Sequence, residues 1–318
     1  MDKTKLIVTQ ASRGKIITPS GFKNYDWALN TYVGCQFGCN YCYVRFFVKD
    51  AKSEWGDFVR TRDHVVDRLP KELPQTAGER LVLGTMTDPY QPQERKSRLT
   101  RLALEAIRDA PSGPSKVGIF TRSPIVLDDA ELIAGLPRAR VHLSVTPFPK
   151  DLMTKLERIP VQTAARFRTV AALKKAGIRV HVNVAPAIPH LSDSMTEEYC
   201  EEIARSGADE FFVDPMQAYS DSYESLRTAM VGDPLWPKVD ATMSDPEAFA
   251  RWKKGYRQSW RKAWRKAGAP VGTLAIWCDH VHHVWEELLT GKKLDPRAYG
   301  DDAPPRKPRS RRVAVTAQ

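Results

Sequence analysis

Three cysteines fall within eight residues, as Cys35-Gln36-Phe37-Gly38-Cys39-Asn40-Tyr41-Cys42. Thiolates gathered this closely select zinc or iron–sulfur centres over hard cations. A C-x3-C-x2-C spacing supplies three corners of a cubane [4Fe–4S] cluster. The fourth iron is left without a protein ligand, and an iron with an open position can bind a substrate. A structural zinc ion would instead want a fourth Cys or His, usually in a second pair. The nearest downstream histidine is His64, and its spacing matches no common zinc module. We therefore read Cys35, Cys39 and Cys42 as the ligands of a redox-active cluster. The chain holds five cysteines, an odd number, and that distribution is that of a metal site and not of a disulfide framework. Cys200, alone inside an expected helix, reads as an inert core residue.

Two other groupings invite chemistry. Cys278-Asp279-His280-Val281-His282-His283 places His280 and His283 on one helix face, with Glu287 a turn further. Three readings stand: histidines that close the end of a barrel, a metal site, and a hydrogen or proton donor (His280 or Cys278) reaching a substrate pocket. Upstream, Trp252, Tyr256, Trp260 and Trp264 recur every fourth residue among Lys253, Lys254, Arg257, Arg261, Lys262, Arg265 and Lys266. Such a helix can track a phosphate backbone and stack on bases. The pattern favours the alternative, an amphipathic helix that buries its aromatic stripe and solvates its lysines.

The elements that must position these residues alternate between short apolar strands and amphipathic helices. Strands are expected over 81–83, 117–120, 141–145, 178–184 and 211–213, and a first strand over 29–33 leads into the cysteine loop. Between them lie helices marked by Leu99, Leu102, Ala103, Ala106 and Ile107, by 128–134, and by 163–176 with Gly177 as its stop. Ser194-Met195-Thr196-Glu197 reads as a capping box opening a helix that ends at Gly207. Alternation of this kind implies a parallel sheet with right-handed crossovers, with chemistry on the loops after the strand C-terminal ends. About six units are present, an α/β partial barrel short of the full eight. Asp245-Pro246 opens a long helix to about residue 267, followed by a strand over 273–277 and a helix over 280–289.

The net charge of +11 makes nucleic acid a reasonable partner, although part of the excess lies in a Pro- and Arg-rich tail over 304–312 that reads as disordered. No apolar run approaches the length that spans a bilayer, and the basic N-terminus lacks a signal-peptide core, so the expected location is cytoplasmic. The expected organisation is an N-terminal extension (1–24), a partial barrel (25–218), a mainly helical region closing the barrel (219–295) and the basic tail (296–318).

The cysteine motif, with an aromatic before its last Cys, resembles the signature of the radical S-adenosylmethionine superfamily. Within it the chain is similar to the spore photoproduct lyase-like, or DNA repair photolyase-like, group. The matching pieces are Asn30-Thr31-Tyr32-Val33-Gly34-Cys35, Cys39-Asn40-Tyr41-Cys42-Tyr43, Gly84-Thr85-Met86-Thr87-Asp88-Pro89-Tyr90-Gln91-Pro92, Thr121-Arg122-Ser123-Pro124, Ser144-Val145-Thr146 and Ala185-Pro186-Ala187-Ile188-Pro189. The resemblance implies a (β/α)6 radical-SAM barrel with a helical C-terminal extension, and two cofactors, a [4Fe–4S] cluster and S-adenosylmethionine. It implies reductive cleavage of S-adenosylmethionine to a 5′-deoxyadenosyl radical, an external reductant such as flavodoxin or ferredoxin, and a DNA or RNA substrate. A small metabolite or peptide substrate, and a non-catalytic nucleic-acid-binding protein, are the alternatives.

By the same resemblance Tyr41 contacts the adenine, and Thr85, Thr87 and Asp88 bind the methionine amino group. Arg122 pairs with the methionine carboxylate, Ser144 bonds the ribose or carboxylate, and Ala185 packs on the adenine. Tyr41 and Tyr43 match the tyrosines flanking the last ligand in spore photoproduct lyase. The hydrogen-donating cysteine of that enzyme falls in the segment matching Gly84 to Asp88, where this chain has none. A tyrosyl relay through Tyr41 and Tyr43 is the substitute. Replacing Cys39 by Ala is expected to abolish the visible absorption of the reconstituted cluster; a variant that kept both that spectrum and cofactor cleavage would sink the ligand assignment.

Overall fold

A computed structural model describes residues 6–22, 24–48, 54–216 and 220–268, and the backbone of 275–277. The strands, in chain order, are β1 (Ile7–Gln10), β2 (Ile17–Pro19), β3 (Trp27–Leu29), β4 (Tyr32–Val33), β5 (Phe58–Thr61), β6 (Arg80–Leu83), β7 (Lys116–Thr121), β8 (Arg140–Ser144), β9 (Arg179–Ala187), β10 (Glu210–Pro215) and β11 (Ala275–Trp277). The helices are α1 (Val44–Phe47), α2 (Val65–Glu72), α3 (Glu94–Ser97), α4 (Leu99–Asp109), α5 (Ala130–Ala134), α6 (Lys150–Leu156), α7 (Thr163–Lys175), α8 (Thr196–Ser206), α9 (Ser220–Ala229), α10 (Trp236–Met243) and α11 (Pro246–Lys266).

Eight strands form one sheet in the order β2-β3-β6-β7-β8-β9-β10-β11. Every neighbouring pair from β3 to β11 is parallel, and β2 is antiparallel to β3. Six of the parallel strands are those expected of the barrel, and β11, expected as a strand over 273–277, joins the same sheet as a seventh, so the sheet draws on residues beyond 218. A small second sheet, β1-β5-β4, carries the chain into the cysteine loop. Among the described residues no helix is long and apolar enough to cross a membrane.

Side chains alternate across the sheet, as the period of two requires. Val117, Ile119, Val141, Leu143, Val180, Val182, Val184, Phe211 and Val213 point outward into the main core, under the crossover helices. The intervening residues point inward. At the N-terminal ends of the strands the inner face carries charge, with Arg140 and Arg179 on Glu210 at 3.1 and 3.5 Å. Above them Tyr25 donates to or accepts from His142 Nε2 at 2.6 Å, Phe120 stacks on His142 with ring centres 4.3 Å apart, and His181 lies 5.0 Å from His142. The C-terminal ends bring Arg122, Ser144, Asn183, Ala185 and Asp214 to the same side.

A second core covers those C-terminal ends. It joins Cys35, Phe37, Cys39 and Tyr41 to Phe148, Leu152, Met153 and Leu156 around α6, and to Tyr223, Leu226, Val239, Met243 and Phe249 from α9 to α11. Helix α11 starts as expected, with Asp245 Oδ1 accepting from the Glu247 and Ala248 amides at 2.8 and 3.2 Å. Its aromatic stripe seals it to the barrel. Tyr256 and Trp260 are buried, and Trp260 and Trp264 meet Phe211 at 5.8 and 4.6 Å. The amphipathic reading therefore holds for the aromatics, while the basic residues remain outside.

Four local expectations change. The strand over 29–33 divides into β3 and β4, because the Asn30 amide turns to Thr85 Oγ1 (3.2 Å) and the Met86 N–H (2.9 Å), and Thr31 meets Thr100 Oγ1 at 3.0 Å. Ser194 makes no capping box. A 3₁₀ turn, Asp193–Met195, runs straight into α8, leaving no extended N-cap residue there. The helix over 128–134 is preceded by a 3₁₀ segment, Pro124–Asp129, whose start Ser123 caps. Leu102 is exposed, and Thr100 takes a place on the buried face of α4 because its hydroxyl donates to the Pro89 carbonyl at 2.7 Å. The helix expected over 280–289 and the Cys278–His283 cluster lie outside the described residues.

Gly118 makes room inside the barrel, since a Cβ there would lie 2.1 Å from Tyr25 Oη and 2.4 Å from its Cζ. Tyr25 is 2% exposed and has nowhere to retreat. Gly118→Ala is expected to cost about 1–3 kcal/mol in urea unfolding; an unchanged midpoint would contradict this packing.

Candidate active site

The cysteine loop leaves β4 at Gly34, whose φ of +86° and 2.5 Å approach to the Phe58 carbonyl (measured from an added Cβ) only glycine tolerates. The loop then folds on itself and on its neighbours. The Gly38 and Cys42 amides donate to the Cys35 and Cys39 carbonyls, each at 3.2 Å. The Asn40 amide donates to the Leu156 carbonyl at 2.9 Å, and Arg45 Nε to the Cys39 carbonyl at 3.0 Å. Asn40 Oδ1 accepts from Ser225 on α9 at 3.0 Å. The loop is thus clamped between α6 and α9, over the ends of the strands.

Cys35 and Cys39 are buried, and Cys42 is half-buried. Burial pushes all three thiols up, Cys39 to about 12. Donors oppose it at each sulfur: the Asp88 amide at Cys35, the Val44 and Arg45 amides at Cys42, and the Arg122 guanidinium at Cys39. Arg122 Nη1 lies 2.9 Å from Cys39 Sγ. Three thiols ringed by N–H donors and cations suit an anionic, thiolate-ligated group. His64 lies elsewhere, at the head of α2 beside Arg62 and Arg68. The donor set therefore fits a multi-iron cluster held by Cys35, Cys39 and Cys42.

Arg122 is the hinge of the site. The same Nη1 lies 3.0 Å from Tyr41 Oη and 2.9 Å from Glu157 Oε1. Tyr41 donates its hydroxyl to that carboxylate, and Thr146 Oγ1 donates at 3.0 Å. On the far side Arg166 Nη2 pairs with Glu157 Oε2 at 2.7 Å. Arg166 also spans the Val161 carbonyl (2.9 Å), the Ser144 carbonyl (3.2 Å) and Thr146 (3.0 Å). Glu157 and Arg166 have no exposed side-chain surface, and Arg122 has 11%. Burial by itself raises the Glu157 carboxyl, but Arg122 and Arg166 outweigh it and bring the group down to about 2. Arg122 Nε and Nη2 make no hydrogen bond among the described residues.

The other expected site residues are brought to the same end of the sheet, several with protein partners. Thr87 donates to the Gly34 carbonyl at 2.6 Å and accepts from Gln91 at 3.0 Å. Asp88 accepts from the Tyr90 amide (2.9 Å), Thr121 Oγ1 (2.7 Å) and the Arg122 amide (2.9 Å). These bonds tie the loop after β6 to the cysteine loop and to the end of β7. Thr85 Oγ1 takes the Asn30 amide, and Tyr43 donates to the Thr85 carbonyl. Ser144 and Ala185 are half-buried on the inner face. Tyr41 and Tyr43 have different hydroxyl acceptors, Glu157 and Thr85.

Sequence reasoning missed Glu157, Arg166, Asn183 and Asp214. Arg166 carries a legible signal, since it shares a helix face with Phe167, Val170 and Leu173. Asn183 and Asp214 interrupt apolar strands at inward positions. Asn183 Oδ1 is buried without a hydrogen bond among the described residues, and burial pushes the Asp214 carboxyl up to about 8. Glu157, just past α6, has no signal in its neighbours.

The Radical SAM superfamily model matches residues 29–203, more than half of the chain, and the chain belongs to that superfamily. Its cofactors are a [4Fe–4S] cluster and S-adenosylmethionine. An uncharacterised protein of Methanocaldococcus jannaschii is 26% identical over 191 residues, 60% of this chain and 71% of that one. An uncharacterised protein of Mycobacterium tuberculosis is 29% identical over 195 residues, 58% of this chain and 56% of that one. Among solved structures, spore photoproduct lyase complexed with dinucleoside spore photoproduct is similar with a TM-score of 0.64, 15% identity, and coverage of 86% of this chain and 82% of that one. A double mutant of that lyase with bound AdoMet and the same dinucleoside is similar at a TM-score of 0.55 and 17% identity, over 72% of this chain and 67% of that one. At these identities the likeness is one of fold.

The depressed Glu157 carboxyl fixes a pH dependence. Its folded value, about 2, lies below the ordinary 4.5. The stability it contributes is therefore complete above about pH 4.5 and is lost as pH falls toward 2, on the order of 3 kcal/mol in all. Glu157→Gln is expected to be less stable than the parent at neutral pH and to lack this acid loss; parallel curves of unfolding free energy against pH would refute it.

Proposed function

We propose that this chain reductively cleaves S-adenosylmethionine at a [4Fe–4S] cluster and applies the radical to a nucleic-acid base or nucleotide. When bound, the cluster supplies the electron that breaks the sulfonium bond and yields a 5′-deoxyadenosyl radical. The observation that carries this reading is Arg122. One guanidinium nitrogen is fixed beside the Cys39 sulfur, while Nε and Nη2 make no hydrogen bond among the described residues. A guanidinium so divided suits a carboxylate next to a thiolate-held metal, because it recognises carboxylates with two parallel N–H donors.

The remaining roles follow from position. Cys35, Cys39 and Cys42 hold the iron. Thr85, on the loop after β6, offers its hydroxyl to the methionine amino group, while Thr87 and Asp88 keep that loop against Gly34 and Arg122. Ser144 meets the ribose, and Ala185 supplies a small surface for the adenine. Tyr41 braces Glu157, and Tyr43 holds the Thr85 carbonyl. The second core over the strand ends excludes water from the site.

The nucleic-acid substrate class rests on charge and on likeness. The net charge is +11, and the exposed face of α11 presents Lys254, Arg261, Lys262 and Arg265. The structurally similar lyase binds a dinucleoside photoproduct.

Anaerobic reconstitution, reduction and assay for 5′-deoxyadenosine test the reaction. Cleavage is expected from the parent, and a loss of at least about 100-fold from Arg122→Gln if both the carboxylate contact and the sulfur contact are lost. Binding of a DNA or RNA oligonucleotide is expected to weaken about tenfold or more between roughly 50 and 200 mM salt. Cleavage without any nucleic-acid affinity would move the substrate to a small metabolite or peptide; affinity without cleavage would remove the enzyme reading.

A further inference from the structure

We propose that Glu157 and Arg166 are positioning residues that hold Arg122 against the Cys39 sulfur, and that this contact raises the reduction potential of the bound cluster. The inference rests on cluster ligation by the cysteine trio, but on no substrate.

The geometry carries it. An arginine on the loop after β7 has many rotamers and ordinarily seeks water. Here its side chain is only 11% exposed and its guanidinium lies 2.9 Å from a thiol sulfur. A buried cation is tolerated only when paired, and Glu157 provides the pair at 2.9 Å. Glu157 is itself fixed from four directions, by Arg122, Arg166, Thr146 and Tyr41. Arg166 is anchored to backbone carbonyls on both sides, at Val161 and Ser144. The chain Arg166–Glu157–Arg122–Cys39 thus runs from the helix α7 to the cluster ligand with no flexible link.

Its charge sums to a net positive beside the sulfur, two guanidinium groups against one carboxylate. Hydrogen bonds to the sulfurs and local net charge are the protein's means of setting an iron–sulfur potential. Reduction adds negative charge to the cluster, so an N–H donor and a cation at Cys39 favour the reduced form. Without the contact a one-electron donor of the same strength would reduce a smaller fraction of the protein.

Positioning and simple charge predict opposite signs when Glu157 is removed. Loss of a carboxylate alone makes the surroundings more positive and would raise the potential. Loss of the anchor releases Arg122 from the sulfur and lowers it. The experiment is an anaerobic spectroelectrochemical titration of the reconstituted full chain without S-adenosylmethionine. We expect Glu157→Ala to move the midpoint negative, in the direction of Arg122→Gln, and the double variant to match Arg122→Gln alone. Thr146→Val removes the hydroxyl that donates to Glu157 and accepts from Arg166, and it changes no charge. It is expected to give a smaller negative shift, and it serves as the test should Glu157→Ala not fold. A positive shift in Glu157→Ala, or a potential unmoved in Thr146→Val when Glu157→Ala cannot be prepared, overturns the proposal. Failure of the cluster reading is distinct, since the parent itself would then bind no cluster to titrate.

Discussion

The carboxylate of Glu157 is the interaction on which the rest of the site depends. It draws together the cysteine loop through Tyr41, the end of β7 through Arg122, the end of β8 through Thr146, and α7 through Arg166. No two of these elements are consecutive at that point in the chain. Each contributes a polar group that would be costly to bury alone, and each is satisfied by the same two oxygens. Removing one partner of such a buried ionic group leaves the others uncompensated, a penalty of about 3–5 kcal/mol. The site is therefore cooperative in the physical sense: its parts are stable in place only together.

The sheet explains why the parts meet there. Parallel strands present every second side chain to one face, and all seven run in the same direction, so their C-terminal inward positions form one surface. Arg122, Ser144, Asn183, Ala185 and Asp214 belong to it by parity and depth. The opposite faces of the same strands are mainly apolar and pack beneath the helices. Lower on the inner side, Tyr25, Phe120, His142, His181 and Phe212 fill the space with ring contacts. That packing gives the cysteine loop a rigid floor. The second core, built from the loop, α6 and α9–α11, supplies the roof.

The backbone around the cysteines also prepares the site for negative charge. Amides of Asp88, Val44 and Arg45 face two sulfurs, and Arg122 faces the third. Burial opposes ionisation of all three thiols. A metal core held by them would supply the compensating charge, and the surrounding donors lower what it would have to supply. Thr87 and Asp88 act on this arrangement from behind, since their hydrogen bonds fix Gly34 and the Arg122 amide.

The sequence alone singled out the cysteine trio, and it determined the parallel α/β architecture and the strand-end placement of Arg122 and Ser144. These are local properties: a spacing of three thiols, a period of two in apolar runs, and a stop at Gly177. It also marked α11 as amphipathic, because one face of a helix is visible in a single stretch of residues. The tertiary structure decided what local pattern does not contain. Glu157 is an ordinary acidic residue after a short helix until the fold brings Arg122, 35 positions before it, and Tyr41 to the same point. Arg166 lies in the apolar stripe of α7, so its burial is legible, but its partner Glu157 is not. Thr100 displaced Leu102 from the buried face because of a carbonyl eleven residues away, at Pro89. Burial of charge is a property of the assembled neighbourhood, and only the assembled neighbourhood shows which charge is held, by what, and against which cysteine.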